Sequence, residues 1–152
     1  MKRILFVCHG NICRSPMAEF IMKDMVAGRG LRDKYRIESC ATSTEELGCD
    51  IYPPAKRCLT SHGIPFEHRS ARQMTSDDYD DNDMIIAMDS ANLRNMRRFV
   101  GNDPEKKVSL MMDHCGRGGD VADPWYTGDF ERTYEDITEA CSALLDSLEA
   151  KG

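Results

Sequence analysis

The chain has 152 residues, enough for one domain with a real core and too few for two ordinary ones. Its 41% apolar share is low and its 30% charged share high for a globular protein. A net charge of −6 excludes the basic surface that non-specific nucleic-acid or membrane binding rewards, so any anion site must be a local positive spot on an acidic body.

In chain order, Lys2 to Val7 predicts the first strand. Its apolar run falls far below the roughly 18 residues that span a bilayer, and it lacks the cleavage site of a signal peptide. Seven cysteines, an odd number with no framework spacing, argue for a reduced, cytoplasmic protein. Pro16 to about Ala27 predicts a helix, with Ser15 as its N-cap, Pro16 at its first position, and Met17, Phe20, Ile21 and Met25 on its buried face. Gly28 and Gly30 should end it. Tyr35 to Cys40 predicts a second strand, Thr42 to Pro54 a surface loop, and Ala55 to Ser61 a short helix stopped by Gly63.

The run Met84 to Met88 has the continuous apolar character of a strand buried on both faces. A helix capped by Ser90 should follow to about Phe99, and Lys107 to Met111 predicts a weaker fourth strand. Phe130, Tyr134, Ile137, Cys141, Leu144 and Leu148 step by three and four along one face of a last helix. Strands alternating with helices imply a parallel sheet covered on both sides, a three-layer α/β sandwich. In such folds ligands bind at the carboxyl ends of the strands. No linker or repeat divides the chain, so residues 1–152 are expected to form one domain.

The loop after the first strand carries the chemistry. Cys8-His9-Gly10-Asn11-Ile12-Cys13-Arg14-Ser15 lies between a strand and a helix, an arrangement that aims backbone N–H groups at an anion. Cys8 opens it and Arg14 closes it, giving C-x5-R-S. A thiol among N–H donors beside a guanidinium ionises readily. Ser15 can donate to the sulfur, and Arg14 can grip two phosphate oxygens in a fork that lysine cannot copy. A cation is disfavoured at a helix start, so something anionic must offset Arg14. Gly10 and Asn11 are expected to permit left-handed backbone in the loop, with the Asn11 amide pinning it from behind. The ring of His9 is expected to matter less than its backbone N–H.

Other clusters are bland. Asp77, Asp78, Asp80, Asp81 and Asp83 resemble a calcium loop only until the required glycine is sought, and a solvated helix end is expected instead. No zinc spacing, Walker A loop or G-x-G-x-x-G is present, and the chemistry needs neither metal nor cofactor. His62 and His114 have no assigned role.

Val7 to Pro16 resembles the signature of the low-molecular-weight protein tyrosine phosphatases. The likeness continues through Ser39-Cys40-Ala41-Thr42-Ser43, His62-Gly63-Ile64-Pro65, Ala71-Arg72-Gln73, Met88-Asp89 with Asn92, and Asp123-Pro124-Trp125-Tyr126. The resemblance implies a four-stranded sheet of order 2-1-3-4 and a phosphocysteine mechanism acting on phosphotyrosine proteins or small aryl phosphates. Inorganic phosphate would be product and inhibitor, and the enzyme a monomer. It makes Cys8 the nucleophile and Asp123 the general acid. A phenol with a pKa of about 10 needs such an acid, and Pro124, Trp125 and Tyr126 would supply a stiff, apolar setting for it. Ile12, Trp125 and Tyr126 would contact the substrate ring, Ser39 and His68 would hydrogen-bond Asn11, and Cys13 would be the redox partner of Cys8.

Rival readings remain. Arsenate reductases share the loop but relay electrons through cysteines after the third strand, where this chain has Met88-Asp89-Ser90. Protein arginine phosphatases carry a small polar residue at the Ile12 position and lack the double aromatic after Asp-Pro. A silent phosphate-binding module would usually lack one of the four chemical groups present here.

Overall fold

The computed structural model describes residues 1–151. Four strands, β1 (Lys2–Cys8), β2 (Tyr35–Ala41), β3 (Met84–Ala87) and β4 (Val108–Leu110), form one parallel sheet in the order β2-β1-β3-β4. Ile4, Leu5, Phe6 and Val7 are fully buried because β1 is central and both sheet faces are covered. Full burial of each such side chain contributes about 1.5–3 kcal/mol.

Alternation along β1 divides the core in two. Ile4, Phe6 and Cys8 face a large cluster built with α1 (Arg14–Gly28), α2 (Pro53–Ser61) and α6 (Phe130–Lys151). Leu5 and Val7 face a smaller one with α3 (Asp77–Asp81) and α4 (Ser90–Val100). The α6 stripe lies where its periodicity predicted, with Ile137, Cys141 and Leu144 buried and Phe130, Tyr134 and Leu148 at the margin. Among the described residues no helix is long and apolar enough to cross a membrane.

Several helix starts differ from expectation. Cys13, not Ser15, precedes the first turn of α1, because the Ser15 hydroxyl is turned inward to the Cys8 sulfur. Helix α2 begins at Pro53 rather than Ala55, since proline fits the first helical turn. Helix α4 is capped by Asp89 rather than Ser90. The Asp89 carboxylate accepts from Asn92 N at 2.8 Å and the Asn92 side chain accepts from Asp89 N at 3.0 Å, a reciprocal box unavailable to Ser90. Residues Pro124–Thr127 form a single turn, α5, too short to leave a periodic pattern.

The acidic cluster is not simply solvated. Asp78 is buried, takes both Arg72 guanidinium nitrogens at 3.0 Å and accepts from Thr75 N at 2.8 Å. Asp83 pairs with Arg3 at 3.2 Å. These carboxylates tie α3 and the approach to β3 into the fold.

Candidate active site

Strand order reverses around β1, so the loop after Cys8 opens at the carboxyl edge of the sheet. A recess of about 110 Å³ lies there, lined by Cys8, His9, Gly10, Ile12, Cys13, Arg14, Glu45, Glu46, Asp123, Trp125 and Tyr126. Every loop residue expected to line the phosphate cup is present except Asn11 and Ser15, which stand behind it.

Asn11 is fully buried with φ +59°, a left-handed conformation that asparagine tolerates better than most residues. This turn brings its backbone N–H to 3.3 Å from Cys8 Sγ. Its amide nitrogen donates to Ser15 Oγ at 2.8 Å and to Ser39 Oγ at 2.9 Å. Because Asn11 occupies a lone pair of Ser15, the hydroxyl proton is free to point at Cys8 Sγ, 3.0 Å away. Ser39 in turn donates to Glu19 at 2.6 Å. Gly10, expected to be left-handed, is not, but a Cβ there would approach the Glu46 side chain to 3.4 Å.

The far side of Asn11 overturns one assignment. His68 does not reach it; its ring is exposed and bonds Asp50 at 3.1 Å. Asn11 Oδ1 instead accepts from the Arg69 guanidinium and from Arg72 N at 3.3 Å. Asp50 holds this segment through Lys56, Arg69 N and His68, and although burial opposes its charge these donors keep its carboxyl well below the usual range. The long Arg69 side chain can span inward from a surface loop where the imidazole, directed at Asp50, cannot.

Arg14 is buried, and its Nη1 donates to Asp89 Oδ2 at 2.7 Å and Val121 O at 2.9 Å. Asp89 therefore caps α4 with one oxygen and anchors Arg14 with the other. Burial works against the guanidinium charge, but Cys8, Asp123 and Asp89 outweigh it and raise its pKa above the ordinary value. With Nη1 committed, the Nη2 edge is left facing Asp123 Oδ2 at 3.4 Å.

Asp123 caps α5, accepting from Trp125 N at 3.1 Å. The apolar setting expected for it is absent: Trp125 and Tyr126 are 52% and 84% exposed, and its nearest charged neighbour is Arg14. Trp125 leans on Tyr52, ring centroids 4.8 Å apart, and Tyr52 meets Phe130 at 6.2 Å. Tyr52, within the segment whose sequence predicts only a surface loop, is thus the support of the aromatic rim. Ile12 lies in the recess wall, and His9 Nε2 meets Glu45 at 2.8 Å at its mouth. The positive spot is confined to the floor, with an acidic rim of Glu45 and Glu46.

All seven cysteines are unpaired. The Cys13 thiol is pushed up to about 12 by burial first and then by Cys8 and Asp123, so it stays protonated at neutral pH.

A sulfur contacted by a backbone N–H and a hydroxyl, a buried arginine and a carboxyl at the edge of one recess fit the class of cysteine-dependent phosphatases. Residues 3–152 match the model of the low molecular weight phosphotyrosine protein phosphatases, and the chain belongs to that family. It is 38% identical over 151 residues to YfkJ of Bacillus subtilis, a low molecular weight protein-tyrosine-phosphatase, covering 98% of this chain and 97% of that one. It is 40% identical over 151 residues to the Gallus gallus low molecular weight phosphotyrosine protein phosphatase, covering 96% and 95%. The crystal structure of YfkJ superposes with a TM-score of 0.95 over 99% of this chain and 96% of that one, at 37% identity. The structure of DARP, the Drosophila arginine phosphatase, gives 0.87 at 32% identity, over 98% of each chain.

Proposed function

We propose that this enzyme hydrolyses phosphotyrosine in proteins, and other aryl phosphates, through a phosphocysteine intermediate. The Cys8 thiolate attacks phosphorus opposite the phenolic oxygen, forming S–P as P–O breaks. Asp123 gives its proton to the departing phenolate. A water then loses its proton to the Asp123 carboxylate and attacks phosphorus. The S–P bond breaks, Ser15 hydrogen-bonds the returning thiolate, and inorganic phosphate leaves. Arg14 Nη2 and the loop N–H groups hold the equatorial oxygens, where charge gathers in the transition state.

The observation that carries this reading is the Cys8 sulfur, 3.0 Å from Ser15 Oγ and 3.3 Å from Asn11 N, on the floor of a recess with Asp123 at its mouth. The Asp123–Arg14 contact at 3.4 Å is one that an incoming phosphate would replace, freeing the carboxyl to meet the leaving oxygen. Acid quenching during turnover of a ³²P-labelled aryl phosphate should leave label on Cys8, and Cys8→Ser should leave none and turn nothing over. Label-free protein under steady turnover would sink the mechanism.

Phosphoarginine is the second reading, supported by the match to an arginine phosphatase. Ile12 in the recess wall favours an apolar ring over a guanidinium. Matched phosphotyrosine and phosphoarginine peptides decide between the two by their kcat/KM ratio. Cys13 is read as the resolving thiol: peroxide converts Cys8 to the sulfenic acid, which removes the Cys8 charge that helps hold Cys13 protonated. Cys13 then attacks that sulfur, its proton leaving with the displaced hydroxide as water, to give the disulfide. With enough peroxide to carry an unprotected sulfenic acid on to the sulfinic acid, activity should return with dithiothreitol in the native chain and not in Cys13→Ser.

A further inference from the structure

Outside the recess, Cys58, His62 and Glu131 bring three unlike donor atoms together, all within 4.8 Å of one another. Cys58 and His62 are four residues apart, on one face of α2 and its final cap, and Glu131 lies in the first turn of α6. Cys58 Sγ is 3.6 Å from Glu131 Oε1, and His62 Nε2 is 2.7 Å from Glu131 Oε2. We propose that this cluster is a zinc site, with three protein ligands and a fourth position open to water.

The donor set selects the metal. A thiolate, an imidazole and one carboxylate oxygen suit a borderline-soft divalent ion, whereas magnesium and calcium seek all-oxygen shells. Bonds of about 2.0–2.3 Å place tetrahedral ligands roughly 3.3–3.6 Å apart. The sulfur sits 3.6 Å from Oε1 and the imidazole 2.7 Å from Oε2, and the three donor atoms lie within 4.8 Å of one another, so side-chain rotations of about 1 Å, turning one Glu131 oxygen between the sulfur and the imidazole, bring the set to these spacings. The imidazole is oriented for the task, since its ring stacks on Tyr134 with centroids 3.7 Å apart and planes 10° from parallel. Cys58 is buried with its sulfur against Phe130 O and Glu131 Oε1, and the side chains of His62 and Glu131 are 32% and 57% exposed, so an ion reaches the cluster from their side.

Binding is not redox chemistry. The Cys58 S–H bond breaks, its proton goes to solvent, and the sulfur lone pair forms the metal bond. In the metal-free protein, burial and then Glu131 keep this thiol protonated, pushing it up to about 12, so the cation replaces the proton. Once loaded, the ion joins α2 to α6 across the large core cluster.

Titrating the intact, metal-free chain with cobalt(II), which reports thiolate ligation through a sulfur-to-metal charge-transfer band, tests the site. One equivalent should give the band in the native protein and in Cys8→Ser, and none in Cys58→Ala. Losing a partner that merely orients a ligand costs about 10–100-fold in affinity, so His62→Ala and the surface change Glu131→Gln should each weaken zinc by at least about tenfold. A band that survives in Cys58→Ala but disappears in Cys8→Ser assigns the metal to the catalytic loop and overturns the proposal. So does unchanged zinc affinity in Glu131→Gln, a variant whose exposed site keeps folding out of question.

Discussion

Around Cys8 the polar side chains are buried and multiply bonded, whereas around Asp123 they stand in solvent on few contacts. Asn11 and Ser15 are fully buried, and the Asn11 amide serves Ser15, Ser39, Arg69 and Arg72 at once. The Asp123 carboxylate has one backbone donor and a long contact with Arg14, in a four-residue turn carrying two exposed aromatic rings. The difference follows from the tasks. Oxyanion donors act without reorganising only if fixed beforehand. A general acid must instead approach a leaving group that arrives with the substrate, so a looser mount serves it.

If that contrast holds, changes on the nucleophile side should damage both chemistry and folding, and those on the acid side chemistry alone. After loss of the nucleophile itself, the largest effect is expected of Arg14→Lys. It removes one or two charge-assisted bonds of about 1.5–3 kcal/mol each, so kcat/KM should fall about 10–10⁴-fold, read with p-nitrophenyl phosphate. Asp123→Asn should slow the first step about 10²–10⁴-fold for phenols of pKa near 10 and progressively less for more acidic ones. Its melting temperature should match the native value. Equal slowing across the phenol series would remove Asp123 from its role and break the contrast.

Arg69→Ala should sharpen it. Leaving Asn11 Oδ1 with a single backbone donor costs about 1–3 kcal/mol, roughly 2–10 °C of melting temperature in a domain of this size. Calorimetry of His68→Ala should show almost no change, since that ring is exposed and pairs only with Asp50. The smallest effect on catalysis belongs to Trp125→Ala. An aromatic contact of about 0.5–1.5 kcal/mol predicts a KM rise of about 2–10-fold for aryl phosphates, with alkyl phosphates unaffected.

Much of this was legible because it is contiguous. The apolar run of β1, the loop and the start of α1 occupy one stretch, so the strand, the turn and the thiol–arginine pair appear together in the sequence. The left-handed turn at Asn11 is legible because few other residues tolerate it. The Ser15 hydroxyl suits either a helix start or a sulfur, and only the inward turn of the chain selects the sulfur over the cap that the sequence suggests. His68 and Arg69 are neighbours, and sequence offers no way to tell which side chain reaches inward.

The sequence by itself determined the alternating strands and helices, the position of the anion cup and the identity of its reactive groups. Each depends on periodicity or on residues a few positions apart, where local geometry dictates contact. Tertiary structure alone decided that Asp89 holds Arg14, that Arg69 secures Asn11, that Tyr52 props Trp125, and that Cys58 and His62 meet Glu131. Those pairs are brought together by packing of the whole core, and no local preference encodes them.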